Sequence, residues 1–163
     1  MNYLSRAGRR VCITIRKANW RLFNKNLHFG AHFNFRKRLE INCAQHGVIN
    51  IGSNVFFNND CSLNAHRLIE IGDDCIFGEA VKIYDHNHKF FLSNEKIRQQ
   101  GFSESAVAIG DDCWIGSNVV ILAGTCIGNH VVIGAGCIVS GTIPSNVVLK
   151  ASQNYNIEQI RSI

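Results

Sequence analysis

A short stretch near the middle of the chain groups side chains that can move protons or bind a metal ion. It reads Tyr84-Asp85-His86-Asn87-His88. A neutral imidazole can accept a proton from a hydroxyl group at neutral pH, and a His-x-His pair with a third histidine nearby can coordinate zinc. The stretch is therefore a candidate for general-base chemistry or for a metal site. The elements that position it decide between the two.

Those elements follow a six-residue period. An aliphatic or aromatic residue, usually followed by glycine, recurs every six positions in three blocks that run from Ile51 to Leu63, from Ile71 to Ile83 and from Ile109 to Val139. Twelve hexads make four coils of three. A helix would give a period of 3.6 and an exposed sheet a simple alternation, whereas a triangular solenoid with one short strand per side gives this pattern.

A second inward position lies two residues before each aliphatic residue, and small or β-branched side chains dominate it. It holds Val55, Cys61, Ile69, Cys75, Val81, Val107, Cys113, Val119, Thr125, Val131 and Cys137. Four of the seven cysteines are thus predicted to fill the core as reduced thiols. We expect the recurrent glycines to serve sharp corners with unusual backbone angles, and the repeat to stop at Pro144.

Two interruptions break the period. An insertion near residues 65–68 predicts a small bulge, and residues 84–108 form a long excursion, which is usually functional when it belongs to a compact fold. Stacking successive coils places Leu63 under Ile83, and therefore His66 under His86. Residues 27–50 keep an alternating pattern and are expected to form a first, irregular coil.

Charge sets the N-terminal segment apart. Residues 1–40 carry ten Lys or Arg and the single acid Glu40, although the whole chain has a formal net charge of only +5. We expect residues 1–26 to form a basic helical segment that either contacts an anionic membrane surface or packs on the body. No reader motif accompanies the charge, so no nucleic-acid partner is expected. The absence of a long apolar run or a secretory signal predicts a cytoplasmic protein of one domain.

Two segments carry a family resemblance: IGDDCIFGEAVKIYDHNH at 71–88 and IGDDCWIGSNVVILAGTCIGNHVVIGAGCIV at 109–139. They resemble the hexapeptide-repeat acyltransferases, and within these the galactoside, maltose and capsular-polysaccharide O-acetyltransferases. The resemblance covers roughly residues 49–148. It implies an all-β, left-handed parallel β-helix over residues 27–150 with the excursion 84–108 and a short tail, 151–163, that could be helical. It also implies a homotrimer with each active site between two chains.

Site residues follow from the resemblance position by position. An ungapped match of the first segment places the catalytic base on His88 rather than on His86. The backbone N–H of Ser117 is implied to stabilise the oxyanion, and Asn58 to contact the acceptor together with Asp85. The donor acetyl-CoA is implied to lie along a set of cofactor-binding residues: Trp114, Ser117, Ala135, Ser140, Gly141 and Lys150.

The match departs from the family at its end. Gly141 stands where a basic residue is frequent, and Lys150-Ala151-Ser152 replaces the usual Gly-x-Pro-Ala segment and its following cation. Lys150 is expected to substitute for that cation as a point charge. The resemblance implies an acetyl-CoA-dependent O-acetyltransferase for a hydroxyl of a sugar or a surface-polysaccharide precursor, without a metal. Two alternatives stay open: a non-catalytic trimeric scaffold, and a zinc-dependent β-helix enzyme of the carbonic anhydrase type.

Overall fold

The structure, a computed structural model, describes residues 3–44 and 46–152. In that part of the chain one α-helix precedes nineteen short β-strands. The bounds are α1 Tyr3–Phe23, β1 Leu27–Phe29, β2 Asn34–Phe35, β3 Glu40–Cys43, β4 Val48–Ile51, β5 Phe56–Phe57, β6 Ser62–Ala65, β7 Leu68–Ile71, β8 Ile76–Phe77, β9 Lys82–Tyr84, β10 His86–His88, β11 Phe102–Glu104, β12 Val107–Ile109, β13 Trp114–Ile115, β14 Val120–Ile121, β15 Cys126–Ile127, β16 Val132–Ile133, β17 Ile138–Val139, β18 Thr142–Ile143 and β19 Val148–Leu149. A 3₁₀ turn, Ile97–Gln99, lies between β10 and β11.

All strands except β10 and β11 stack as the three parallel faces of a triangular solenoid. Face A contains β1-β4-β7-β12-β15-β18, face B contains β2-β5-β8-β13-β16-β19, and face C contains β3-β6-β9-β14-β17. The chain turns from one face to the next at the AB, BC and CA edges. Coils 1 to 6 each begin with a strand of face A, and the four coils predicted from the hexads are coils 2 to 5.

The core consists of like residues stacked coil upon coil. On face A, Ile51 pairs with Ile71, which pairs with Ile109 in the next coil. On face B the rings of Phe57 and Phe77 stack at 4.2 Å. Each fully buried side chain of this size contributes about 1.5–3 kcal/mol. The four cysteines predicted to fill the core are buried: Cys61, Cys75, Cys113 and Cys137.

The recurrent glycines serve a different purpose from the predicted one. Positive φ angles at the edges occur most often at Asn and Asp, such as Asp112 (φ 54°) and Asn118 (φ 58°), whose short polar side chains tolerate this region, and at a few glycines that do not follow the aliphatic residue, such as Gly124 (φ 81°). The glycine that follows the aliphatic residue permits close packing instead. A Cβ on Gly78 would lie 2.6 Å from the nitrogen of Ser117 in the next coil. The prediction of unusual backbone angles at these glycines was therefore wrong.

Both ends of the solenoid extend past the regular hexads. Residues 27–43 form coil 1, as expected, although its strands are unevenly spaced. Strands β18 and β19 form part of coil 6 on both sides of Pro144, so the repeat does not stop there. Of the predicted tail 151–163, residues 153–163 lie outside the described residues.

Helix α1 covers the open N-terminal end of the solenoid. Arg16 donates a hydrogen bond from Nη2 to the carbonyl of Leu39 at 2.6 Å, and its guanidinium lies 5.1 Å from the Trp20 ring centroid. Lys17 donates to the carbonyl of Phe33 in coil 1, and burial lowers the pKa of its ammonium. These basic side chains therefore fasten the helix to the body. In the described part of the chain, no helix has the length and apolarity needed to cross a membrane.

Candidate active site

The predicted base His88 lies on an antiparallel hairpin that projects from the CA edge of coil 3. Strand β10 pairs with β11, and His88 stands opposite Phe102. The two rings lie 4.5 Å apart, and the imidazole of His88 is exposed to solvent. The predicted excursion is therefore ordered at its base, and an exposed turn, residues 89–101, joins its two strands.

Asp85, at the root of the hairpin, is completely buried, with 0% of its surface exposed. Its Oδ1 accepts from the backbone N–H of His66 at 2.8 Å, and its Oδ2 accepts from those of Arg67 and Leu68 at 2.7 Å. The His86 ring nitrogen Nδ1 lies 3.0 Å from Oδ1. These four contacts occupy the carboxylate and leave no exposed surface for an acceptor. The predicted acceptor contact of Asp85 is therefore at odds with its position.

The electrostatics of Asp85 follow from the same contacts. Burial alone would raise the pKa of its carboxyl, but the backbone N–H of His66 and the His86 ring lower it, as do the two further N–H groups. The net pKa lies below the ordinary value. Asp85 is thus an ionised structural carboxylate rather than a proton donor.

His66 and His86 stack face to face, as the coil register predicts. Their ring centroids lie 3.6 Å apart with an interplanar angle of 16°. Burial and the neighbouring His86 lower the pKa of His66. Rings stacked in this way do not converge on one point as zinc ligands must. Among residues 3–44 and 46–152, no three His, Cys, Asp or Glu side chains are arranged to hold a metal ion.

Four predicted site residues align along the BC edge, one in each of four coils. Asn58 donates its backbone N–H to the Phe77 carbonyl of the next coil. Ser117 follows, then Ala135, whose nitrogen would lie 2.6 Å from a Cβ on Gly116. Lys150 lies on the same edge in coil 6, one position before the counterpart of Ala135, with its Cα 3.5 Å from a Cβ built on Gly134. The Asn58 side chain caps the edge, because its Oδ1 accepts from the N–H of Asn59 at 2.9 Å.

Ser117 lies where a ladder of capping hydrogen bonds ends. In coil 3 the N–H of Glu79 donates to Ser117 Oγ at 3.1 Å, so a side chain of the next coil caps the previous one. The AB edge repeats this contact at each step from coil 2 to coil 6, for instance from Asp111 N–H to Asn129 Oδ1 at 2.9 Å. The side chain of Ala135 has no polar atom that could accept a hydrogen bond from Ser117. Within the described residues, the Ser117 N–H has no hydrogen-bond acceptor, and an oxyanion could use it.

The remaining donor-site residues lie elsewhere on the prism. Trp114 projects from face B and is 56% exposed, beside Ile76 and Val132 of the adjacent coils. Ser140 and Gly141 lie on the CA edge, the same edge from which the hairpin of His88 projects. The width of face C separates this edge from the row with Ser117, no more than about 20 Å for six extended residues. Within a single chain, the site residues of the CA edge and those of the BC edge therefore lie apart.

The sequence analysis assigned Phe102 no role in the site. The Phe102 ring lies 4.4 Å from His66, 5.4 Å from His86 and 4.5 Å from His88, and so forms a wall common to all three histidines. The hairpin pairing that brings it there has no hexad signal. The unpaired N–H of Ser117 could have been recognised from the missing side-chain acceptor at 135.

Comparisons with known proteins agree with this architecture. The profile of the family described as Bacterial transferase hexapeptide (six repeats) matches residues 106–141. The putative lipopolysaccharide biosynthesis O-acetyl transferase WbbJ of Escherichia coli (strain K12) is 33% identical over 167 residues, which cover 95% of this chain and 85% of that protein. The chain belongs to the hexapeptide-repeat acetyltransferases. Two further curated relatives are matched over only 34% and 48% of their own length.

Solved structures confirm the predicted left-handed parallel β-helix fold of this acetyltransferase. A maltose O-acetyltransferase from Clostridium difficile 630 is 29% identical, with a TM-score of 0.69 over 99% of this chain and 90% of that chain. A galactoside acetyltransferase in complex with coenzyme A is also 29% identical, with a TM-score of 0.58 over 73% of this chain and 61% of that chain. The similarity extends through the coils that carry the candidate site.

Proposed function

We propose that the protein transfers an acetyl group from acetyl-CoA to a hydroxyl group of a sugar or a surface-polysaccharide precursor. The observation that carries the proposal is the unpartnered N–H of Ser117 on the BC edge. The equivalent N–H of the preceding coil, that of Glu79, is capped by Ser117 Oγ. An unpaired, fixed donor of this kind is suited to a developing oxyanion. The names of the relatives support an O-linked acceptor, since WbbJ and the maltose enzyme are both named as O-acetyltransferases.

The proposed mechanism is direct transfer. The acceptor oxygen attacks the thioester carbonyl while the His88 imidazole takes the hydroxyl proton. The carbonyl oxygen becomes negative and accepts a hydrogen bond from the Ser117 N–H. When the tetrahedral intermediate collapses, the new C–O bond remains, the C–S bond breaks, and the proton on His88 passes to the departing sulfur. No covalent enzyme intermediate is required.

The proposed donor site follows the outside of the prism. The galactoside acetyltransferase was solved with coenzyme A, which supports a coenzyme A thioester as donor. Trp114, Ala135, Ser140 and Gly141 would lie along its pantetheine arm, and Lys150 would supply the charge for a phosphate group. Asn58, half-buried on the same edge two coils before Ser117, is the proposed acceptor contact.

We propose a homotrimer with its active sites between chains, because the two groups of site residues occupy different edges of one prism. Face B carries an outward apolar row that includes Ile76, Trp114 and Val148, each more than half exposed (52%, 56% and 58%). Contiguous exposed apolar surface usually marks an interface. Equilibrium sedimentation measures the assembly directly, and a monomer with full activity would contradict this part of the proposal.

Mixing two variants that impair different parts of the site tests whether the site lies between chains. His88→Ala removes the base, and Ala135→Ser is designed to cap the Ser117 N–H. Refolding the two variants together should restore part of the activity, because some boundaries would combine an intact base from one chain with an intact donor edge from another. As a control, the double variant that carries both changes in the same chain should recover no activity when it is refolded by itself.

We propose further that the enzyme works in the cytoplasm at the inner face of the membrane. The basic character of residues 1–40 supports contact with anionic lipid, and α1 exposes Val11, Ile15 and Leu22 on the side away from the body. Co-sedimentation with vesicles of phosphatidylglycerol and phosphatidylcholine tests this contact. Ile15→Glu should abolish binding, whereas Asn19→Glu, with the same added charge, should weaken it less. Equal sedimentation with purely neutral vesicles would contradict an electrostatic contact.

Titration calorimetry with acetyl-CoA and then with coenzyme A tests the donor without knowledge of the acceptor. Binding near one site per chain supports the acetyltransferase proposal, and an acceptor screen among sugars follows. Binding of neither compound would favour a scaffold. In that screen His88→Ala should lose most of its activity, about 10²–10⁴-fold. His130→Ala replaces an exposed histidine paired with Asp112 and is the matched control.

A further inference from the structure

Three segments of the chain meet at Asp85. Its carboxylate accepts hydrogen bonds from the backbone N–H groups of residues 66–68, which lead from the insertion at the end of coil 2 into β7. Its own carbonyl accepts from the N–H of Ser105 at 2.8 Å, directly after β11. The next residue, His86, begins β10. Both ends of the excursion and the turn beneath it are therefore joined at one residue.

Only an ionised carboxylate satisfies this arrangement. A carboxylate is an acceptor at both oxygens, and here each oxygen faces at least one N–H donor. Asparagine has nearly the same shape, but its side-chain NH₂ group, which is a donor, would face one or more of the backbone N–H donors of residues 66–68. An unsatisfied buried N–H costs about 1–3 kcal/mol, so the turn would have to rearrange.

A continuous set of ring contacts leads from Asp85 to the proposed base. His86 is fixed by the carboxylate and stacks on His66. Phe102 packs against both of these rings and against His88. Since side chains two residues apart on a strand share a face, His86 and His88 lie on the same side of β10. Any shift of the root should therefore move the base.

We infer that Asp85 is a positioning residue that fixes the root of the β10–β11 hairpin and thereby the location of His88. The inference rests on the proposed function, in which His88 is the base. It replaces the predicted acceptor contact of Asp85 with a role exerted through the hairpin. Nothing in the arrangement requires Asp85 itself to touch the acceptor or the donor.

Asp85→Asn tests the inference, with Asp112→Asn as the matched control because Asp112 also pairs with a histidine but lies on the AB edge. We expect kcat to fall about 10- to 100-fold for Asp85→Asn, since misplacing a reacting group by about 1 Å has this effect. The KM for acetyl-CoA should change by less than about twofold. Asp112→Asn should change neither constant.

A double-mutant cycle separates positioning from general destabilisation. In the His88→Ala background, Asp85→Asn should lower the residual rate by less than about twofold, because the group that it positions is gone. An equal fold-loss in both backgrounds would overturn the inference. Full activity of His88→Ala alone would instead refute the proposed base, and the inference with it.

Amide hydrogen exchange provides a readout that does not depend on activity. The N–H groups of residues 66–68 and of Ser105 should exchange at least about tenfold faster in Asp85→Asn than in the wild type, while those of coil 5 stay protected. Unchanged exchange at these amides, with His88→Ala inactive, would overturn the role of Asp85 and leave the proposed function standing.

Discussion

Replacing Ala135 with serine would extend the ladder of capping hydrogen bonds by one step along the BC edge. One coil earlier, Ser117 Oγ accepts from the N–H of Glu79 at 3.1 Å. Because successive coils repeat the same geometry, a serine oxygen at position 135 should approach the Ser117 N–H in the same way. The substitution should therefore stabilise the fold and oppose the proposed chemistry at once.

The effects of Ala135→Ser on stability and on kcat differ in size. A neutral hydrogen bond adds about 1 kcal/mol of stability, which corresponds to an increase in Tm of about 2–4 °C for a chain of this size. A donor that must first break such a bond loses about 1 kcal/mol of transition-state stabilisation, or about fivefold in kcat. If the oxyanion cannot displace the serine, the loss approaches the effect of removing the donor, about 10²–10³-fold.

Steady-state kinetics and thermal unfolding of the same preparation check both parts. Ala135→Val is the control, because it adds bulk without an acceptor and should affect the donor KM more than kcat. A raised Tm with an unchanged kcat would refute the role of the Ser117 N–H. An unchanged Tm would show that the serine oxygen does not cap it.

Other predictions concern the base, the coil contacts and pH. His88→Ala should lower kcat by about 10²–10⁴-fold, with His130→Ala near wild type in the same acetylation assay. Gly78→Ala places a methyl group 2.6 Å from a backbone nitrogen of the next coil and should destabilise the protein by about 1–3 kcal/mol in urea unfolding, whereas Gly8→Ala meets nothing within 4 Å and should stabilise α1. Burial lowers the pKa of His66, so its neutral form is favoured in the folded state, and its contribution to stability should be complete above about pH 6.5 and decline below it. Urea unfolding at about pH 7.5 and about pH 5.5 should show a larger loss for the wild type than for His66→Gln.

The periodic part of the fold could be predicted from the sequence because each inward position repeats with the coil. The hexads from Ile51 to Val139 gave the four regular coils, and the register alone predicted the stacking of His66 on His86. Coils 1 and 6 were harder to predict from the sequence. Their strands are unevenly spaced, and the step from Val139 to Ile143 has only four residues.

The site was less predictable where it depends on contacts between distant segments. Nothing in the hexad pattern indicates that Asp85 is buried, because its partners are backbone N–H groups of the preceding coil. A glycine that recurs with the hexads can also serve two purposes, an unusual φ angle or a close approach of the next coil. Only the packing distinguishes them, as Gly78 illustrates. The roles of His88, Ser117 and Lys150 stay predictions.

The buried cysteines offer a way to watch the solenoid open. Cys61, Cys75, Cys113 and Cys137 place one shielded thiol in each of coils 2, 3, 4 and 5. A thiol reacts with an alkylating reagent only when it is exposed to solvent. Pulsed labelling followed by peptide mass spectrometry would therefore measure when each coil opens. Equal labelling rates at the four thiols would mean that the solenoid unfolds as one cooperative unit. Rates that decrease steadily from one end would mean that the coils unfold one after another from that end.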